Sequence, residues 1–363
     1  MLISIITPVK NGAQYLEEML QSIHSQSYPF IEHIIVDGGS SDGSLEIIQN
    51  FEHKYPNRIR LVCGHDRGAC DALNKGWQIA RGEVLGWLGA DDCYLPEAIK
   101  IVADFFTDNP NKHFLYGECE IINAAGDYVG RFATREFVLE TALNNGLYVP
   151  FPSAFYRRQV IEKVGPVVVG HKACDSDFII RASKCYKLCR IKSNLTQFRL
   201  HSTSISCTSG ITDYPKAFFQ LNREHGGRLL SPICLRYFKS ILIKIPFVKS
   251  LYSLLTPWNY QPQSSSSSQK YAIFGASLSG YQCLNNVLES GKYVDVFIDN
   301  FPPCDSSYCG RPVFTPLEFM DKVADSVDAV LIASSSSAYA MWYQLRRMGF
   351  RKSLKIFRVK PYQ

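Results

Sequence analysis

Residues 83–96 read Glu-Val-Leu-Gly-Trp-Leu-Gly-Ala-Asp-Asp-Cys-Tyr-Leu-Pro: a short apolar run, Val84 to Leu88, that leads into two adjacent carboxylates. A run this short predicts a buried strand, and Pro96 suits the first turn of a helix predicted over Glu97–Phe106. Paired acids just beyond a buried strand stand where open α/β sheets bind ligands. Two like charges side by side are unfavourable unless a cation or hydrogen-bond donors neutralise them. Hard oxygen ligands of this kind suit Mg²⁺ or Mn²⁺ shared with substrate phosphates. A lone Asp-Asp pair is more often just a helix cap, so the surrounding chain has to decide.

The preceding residues build the frame. Leu2–Ile6, Ile31–Val36 and Arg60–Cys63 read as short β-branched strands, and Gln14–Gln26 and Leu45–Tyr55 as helices between them. In the first helix Leu16, Met19, Leu20 and Ile23 share one face. Strand, helix, strand, helix, strand predicts right-handed crossovers and a parallel sheet covered on both sides. The loop after the second strand, Asp37-Gly38-Gly39-Ser40-Ser41-Asp42-Gly43-Ser44, is dense in Gly and short polar residues. It reads equally as a close approach to a ribose or base and as an Asx-rich turn. Further on, Asp66, Arg67 and Lys75 bring one acid and two phosphate-type donors ahead of the paired aspartates.

Four segments now stand in order: Thr7-Pro8-Val9-Lys10-Asn11, Val36 to Gly43, Asp66-Arg67-Gly68 with Asn74-Lys75-Gly76, and Gly89-Ala90-Asp91-Asp92. Together they resemble the nucleotide-sugar half of glycosyltransferase family 2. The resemblance implies the α/β GT-A fold. It also implies an inverting, metal-dependent transferase that moves a sugar from a nucleoside-diphosphate sugar to a glycan or lipid-linked acceptor, in cell-surface polysaccharide or glycolipid assembly. By position, Pro8, Asp37 and Asp66 would hold base and ribose, Asp91 ribose or metal, and Asp92 the Mn²⁺ or Mg²⁺. Gly38 stands where many members carry a second Asp, and Gly89 where many carry Asn. The first removes a nucleotide contact; the second leaves the metal loop more flexible.

Beyond this half, Phe114–Gly117 and Cys119–Asn123 read as strands, with a hairpin turn at Ala125-Gly126-Asp127. Asn145–Ser153 reads either as a wall for a sugar or as an ordinary packed loop. Asp175 and Asp177 open a helix, where an Asp is usually a cap. By resemblance Asp175 would be the general base that deprotonates the acceptor, with Asp177 facing the helix dipole. A lone histidine such as His201 is more often structural, but the resemblance would let it close over the metal and diphosphate.

The chain has 363 residues, enough for two domains, and its net charge of +6 is concentrated. Between Arg223 and Gln263 six cations face the single acid Glu224, so +5 of the total lies there. The near-neutral remainder speaks against nucleic-acid binding. The basic segment mixes Leu, Ile and Phe with cations, which fits either a peripheral contact with an anionic membrane or a pair of packing helices. No apolar run approaches a membrane span, and no cleavable signal is visible, so a cytoplasmic chain, peripheral at the inner membrane face, is expected. Twelve scattered cysteines read as reduced, mostly buried thiols.

The boundaries expected are a GT-A domain over 1–215, a basic helical segment over 216–263, a Ser-rich linker over 264–269 and a second, smaller Rossmann-like α/β domain over 270–363. In the last, Gly275, Gly280 and Asp299 fit a dinucleotide fingerprint whose middle glycine is Ser277, which favours a structural turn over a ligand site. Two rivals to the transferase follow: a nucleotide-sugar-binding protein without turnover, which the Gly38 and Gly89 departures favour, and an NAD-type oxidoreductase acting through the C-terminal domain, which Ser277 disfavours.

Overall fold

A computed structural model of the chain describes residues 1–132, 134–201, 203–204, 213–242, 270–275, 278–289, 292–300, 307–309, 311–333 and 338–357. The Ser264–Ser268 linker, Ser277, Lys244 and Lys249 lie outside the described residues. The contacts divide the chain into two units. The first comprises residues 1–120, 132–199 and 209–241, and the second residues 121–131, 200–208 and 242–363.

The first unit opens with β1 (Ile3–Val9), α1 (Ala13–His24), β2 (Ile31–Asp37), α2 (Ser44–Lys54), β3 (Ile59–Cys63), α3 (Ala69–Ile79) and β4 (Val84–Trp87). It continues with β5 (Cys93–Tyr94), α4 (Ala98–Asp108), β6 (Phe114–Ile122), α5 (Leu139–Asn145), β8 (Ala154–Arg157), α6 (Arg158–Val164), α7 (Cys174–Cys185) and β9 (Leu188–Arg199), while β7 (Tyr128–Arg131), which pairs with β6, is counted with the second unit. Two further helices, α8 (Asp213–Glu224) and α9 (Pro232–Leu242), follow. β6 runs on past Gly117 as one strand, so the two strands expected there are one.

The sheet runs β3-β2-β1-β4-β8-β6-β9-β5. β1 pairs in parallel with β2 and with β4, and β2 with β3. Ile3, Ile5, Ile6, Val84 and Leu85 are fully enclosed because helices cover both faces, which is why these strands are nearly unbroken apolar runs. α1 buries Leu16, Met19, Leu20 and Ile23, as its spacing predicts. The parallel sheet expected for the first strands is thus present, and beyond it the sheet becomes mixed, β4 pairing antiparallel with β8 and β8 with β6. Strand order turns at β1, with β2 on one side and β4 on the other, and beyond the carboxyl ends at such a switch point open α/β sheets bind ligands.

α4 begins one residue later than expected. Glu97 is its cap in a left-handed conformation, φ 63°, and Pro96 lies in the turn before it rather than in the first helical turn.

The second unit is built on β10 (Lys270–Phe274), α10 (Leu278–Glu289), β11 (Tyr293–Ile298), β12 (Ser307–Tyr308), β13 (Arg311–Phe314), α11 (Pro316–Lys322), β14 (Ala329–Ala333), α12 (Ala338–Arg347) and β15 (Ser353–Phe357). Its sheet order is β12-β13-β11-β10-β14-β15, parallel except for β12. Again the order reverses at the first strand. Within this unit the Tyr308 hydroxyl donates to the Val129 carbonyl, and the rings of Tyr128 and Tyr308 meet edge to face at 6.4 Å.

Candidate functional site

The loops beyond β1, β2 and β4 meet at this switch point. Lys10 Nζ donates to the carbonyls of Gly38 and Gly39, 2.7 Å each, and Gly38 N–H donates to the Val9 carbonyl at 2.9 Å. Asn11, in a left-handed conformation that Asn tolerates, accepts from Ser41 N–H at 2.9 Å. α1 has no cap of its own; Asp42 Oδ2, from the second loop, accepts Ala13 N–H at 2.9 Å. These bonds hold Pro8 and Asp37 at neighbouring strand ends, Val9 lying opposite Asp37 in the ladder.

Asp37 is fully buried. Its Oδ2 accepts from Gly39 N–H and Ser40 N–H at 2.9 and 3.0 Å, while Oδ1 has no partner among the described residues. An unpaired buried carboxylate oxygen is costly, so one at the strand end of a switch point marks a place for a ligand donor. Asp66 joins it: Oδ1 accepts Gly68 N–H at 2.8 Å, and Oδ2 lies where a Cβ on residue 38 would stand. The absent side chain at 38 is thus replaced in space by the Asp66 carboxylate. Arg67 and Lys75 are less available than their sequence positions suggest. Arg67 pairs with Asp71 at 2.9 Å, and Lys75 donates to the His65 carbonyl at 2.8 Å.

Asp91 and Asp92 follow β4. A Cβ on Gly89 would lie 2.8 Å from Asp91 Oδ1 and 2.9 Å from Asp92 Oδ2, so an oxygen of each acid borders the same small volume above that glycine. A side chain there would push the acids apart, which gives Gly89 a role that flexibility alone did not. Among the described residues no three His, Cys, Asp or Glu gather as a complete metal cage. Two hard oxygens with room for phosphate and water nonetheless fit Mg²⁺ or Mn²⁺. Burial first, then the Asp91 charge, holds the Asp92 carboxyl well above the usual carboxylate range.

Arg199, at the end of β9, is the residue that sequence reasoning missed. It is 1% exposed. Its backbone N–H donates to Asp92 Oδ1 at 3.0 Å, its Nε to the Asp91 carbonyl at 3.0 Å, and its Nη2 to Glu18 at 2.6 Å. The guanidinium also stacks over Tyr15, 4.7 Å from the ring centre. An Arg closing a strand carries no local sign of such a role, because its partners lie 107 and 181 residues away. His201, two residues on, falls in the second unit, where its Nδ1 lies 2.9 Å from Thr203 Oγ1.

α7 separates the two acids of its first turn. Asp177 is buried, bound by Arg181 Nε at 2.8 Å and His225 Nε2 at 3.0 Å. Arg181 also donates to the carbonyls of Val164 and Pro166, so this carboxylate anchors the helix. Asp175 is half-buried, and its Oδ1 accepts from Ser176 N–H and Oγ at 2.7 and 3.3 Å. Burial raises its pKa, opposed by the Ser176 donors and by His171. His171 was also missed. Its Nδ1 accepts Ala173 N–H at 3.2 Å, and its buried Nε2 has no partner.

Cys70 and Cys174 form a disulfide that joins the first turns of α3 and α7, so not all of the cysteines are thiols as expected. The two helix starts abut, which brings these sulfurs together across 104 residues. Asn74 reinforces the contact through Val167, donating to its carbonyl at 2.9 Å and accepting its N–H at 3.1 Å. In the Asn145–Ser153 segment, Phe151 packs edge to face on Trp87 and is core, whereas Tyr148 lines a cavity of about 640 Å³.

The model of the family described as Glycosyl transferase family 2 matches residues 4–165. A PGL/p-HBAD biosynthesis glycosyltransferase of Mycobacterium tuberculosis is 30% identical over 182 residues, 50% of this chain and 69% of that protein. An uncharacterized glycosyltransferase of a Nostoc species is 27% identical over 215 residues, 56% of this chain and 66% of its own length. One of Rickettsia conorii is 38% identical over 128 residues, 35% of this chain, but that match spans only 21% of its length. In fold, the chain is similar to Staphylococcus aureus TarS 1–349 in complex with UDP-GlcNAc, with TM-score 0.51 and 18% identity over 70% of this chain and 76% of TarS 1–349. It is also similar to the mannosyltransferase PcManGT of Pyrobaculum calidifontis in complex with GDP-Man and Mn²⁺, with TM-score 0.50 and 18% identity over 72% of this chain and 76% of the other. These similarities assign the GT-A fold.

Proposed function

The chain belongs to glycosyltransferase family 2, and from that premise we propose that it moves a sugar, with inversion, from a nucleoside-diphosphate sugar to an acceptor hydroxyl. The observation that carries this reading is Asp37 Oδ1, a buried acceptor with no donor among the described residues. A base N–H would satisfy it, with Pro8 and Asp66 flanking base and ribose. Asp91 and Asp92 would hold the cation together with the diphosphate. When bound, the cation supplies positive charge to the departing diphosphate. Arg199 keeps the two acids in register by binding the backbone of one and the side chain of the other.

On the acceptor side, Asp175 takes the hydroxyl proton as the oxygen attacks the anomeric carbon and the diphosphate leaves with the bonding electrons. A raised carboxyl pKa suits a base that must accept a proton during the step. The His171 Nε2–H can orient the acceptor. The mycobacterial relative is named for PGL/p-HBAD biosynthesis, which supports a glycolipid or glycan acceptor.

The test is a panel of nucleoside-diphosphate sugars incubated with the full chain and Mn²⁺ or Mg²⁺, with release of nucleoside diphosphate as the readout. One donor should be consumed, and Asp37→Ala should abolish its binding while the protein stays folded. No turnover of any donor, with donor binding intact, would instead favour the binding protein without turnover.

A further inference from the structure

The basic segment and the cavity beside it carry none of the roles proposed above. α9 buries Ile233 and Cys234 and turns Leu235, Phe238 and Ile241 outward at 52, 38 and 43% exposure. Leu229 and Leu230, in the turn before it, are 53 and 81% exposed. A contiguous apolar ridge of this kind on an isolated surface is costly and marks an interaction site. No acid lies on α9, whose sequence is Pro-Ile-Cys-Leu-Arg-Tyr-Phe-Lys-Ser-Ile-Leu.

The cavity of about 640 Å³ opens between α5, α8 and α9, and Arg236 and Arg135 stand on its wall with Tyr148, Tyr214 and Phe218. Arg135 stacks on Tyr148, 4.3 Å from the ring centre. Neither guanidinium makes an ion pair among the described residues, whereas nearby Arg228 is paired with Glu140. Two exposed guanidiniums without counter-charge over an aromatic floor are arranged for an anionic group with an apolar body.

We infer that this face docks on an anionic lipid bilayer, with the ridge of Leu229, Leu230, Leu235, Phe238 and Ile241 entering the headgroup region and the Arg135–Arg236 cavity receiving a lipid phosphate. α9 exposes Leu235, Phe238 and Ile241 together with Arg236, and at the headgroup boundary apolar burial and charge attraction add. A second copy of the chain would bring the same positive charge to the face, which argues against self-association there. The inference does not depend on the transfer chemistry.

The test is sedimentation of the full chain with vesicles of phosphatidylcholine alone and of phosphatidylcholine mixed with phosphatidylglycerol. The wild type should sediment with the mixed vesicles only, and less so as salt rises. Arg135→Gln and Arg236→Gln should each weaken binding about 5-fold, the equivalent of ~1 kcal/mol per cation at such a surface. Leu235→Ser with Phe238→Ser should abolish it. Soluble glycerol phosphate should compete only weakly; full competition would identify a free phosphate ligand and overturn the membrane assignment. Failure to sediment with mixed vesicles, or binding that both arginine variants retain, would overturn it too. So would a dimer that the Leu235→Ser, Phe238→Ser pair converts to monomer in light scattering.

Discussion

The carboxylate of Asp66 lies over Gly38, filling the volume that a side chain at residue 38 would need. Gly38 is not in a glycine-only conformation, so only this contact opposes a larger residue. Gly38→Ala should therefore displace Asp66 and lower nucleoside-diphosphate affinity about 10-fold, roughly 1.4 kcal/mol, by titration calorimetry. In an Asp66→Ala background the same change should add nothing further, because the clash is gone. Full additivity of the two would show that the residues act separately.

Asp92 is enclosed beside Asp91 and accepts the Arg199 N–H, and in the proposed function a cation would supply the remaining compensation. Asp92→Asn keeps the oxygen that accepts Arg199 N–H and removes the repulsion. In chelator its melting temperature should match or exceed that of the wild type. With Mn²⁺ and nucleoside diphosphate, the stabilisation that binding confers on the wild type should be missing. Equal ligand-induced shifts in both proteins would sink the metal assignment.

The two acids of α7 should separate cleanly. Asp175→Asn removes the proposed base and should cost about 10²–10⁴ in transfer rate with donor binding intact. Asp177→Asn breaks a buried ion pair and leaves Arg181 and His225 short of a partner, which should cost about 3 kcal/mol in chemical denaturation. Asp175→Asn turning over normally, beside a folded and inactive Asp177→Asn, would reverse the roles.

Stability should fall with acid through the pair His24 and His33, which lie 3.2 Å apart beneath the sheet. Burial, then the Arg58 charge, lowers His24 from 6.5 to about 4, and burial, then His24, pushes His33 well below the usual range. In the unfolded chain both take up protons below their ordinary value, while the folded state resists. Their contribution is thus complete above pH 6.5 and is lost as pH falls toward about 4. Each histidine should remove about 1.4 kcal/mol per pH unit in that window. Denaturation midpoints measured between about pH 7 and pH 5 should show the slope, and His24→Gln should flatten it. An unchanged slope in that variant would assign the acid sensitivity elsewhere.

Local pattern alone was enough for β1 to β4 and for α1 and α2, because the burial of β1, β2 and β4 on both faces forces apolar runs that can be read directly; it did not show that α3 begins at Ala69, nor the two-residue β5. It was also enough for the acids at strand ends, since Asp37, Asp91 and Asp92 follow their strands with no intervening element. Position beside a strand is a local property.

Only the tertiary structure decided which of these acids have partners. Asp175 and Asp177 are two residues apart with the same side chain, and their difference comes from Arg181 and from His225, 48 residues from Asp177. The same holds for Asp66 over Gly38, for Arg199 on Asp92, and for the Cys70–Cys174 bond. Each joins segments far apart in the chain that only sheet order and helix packing bring together. A sequence motif lists the groups that chemistry needs; which of them stay available to a ligand depends on the contacts that folding completes.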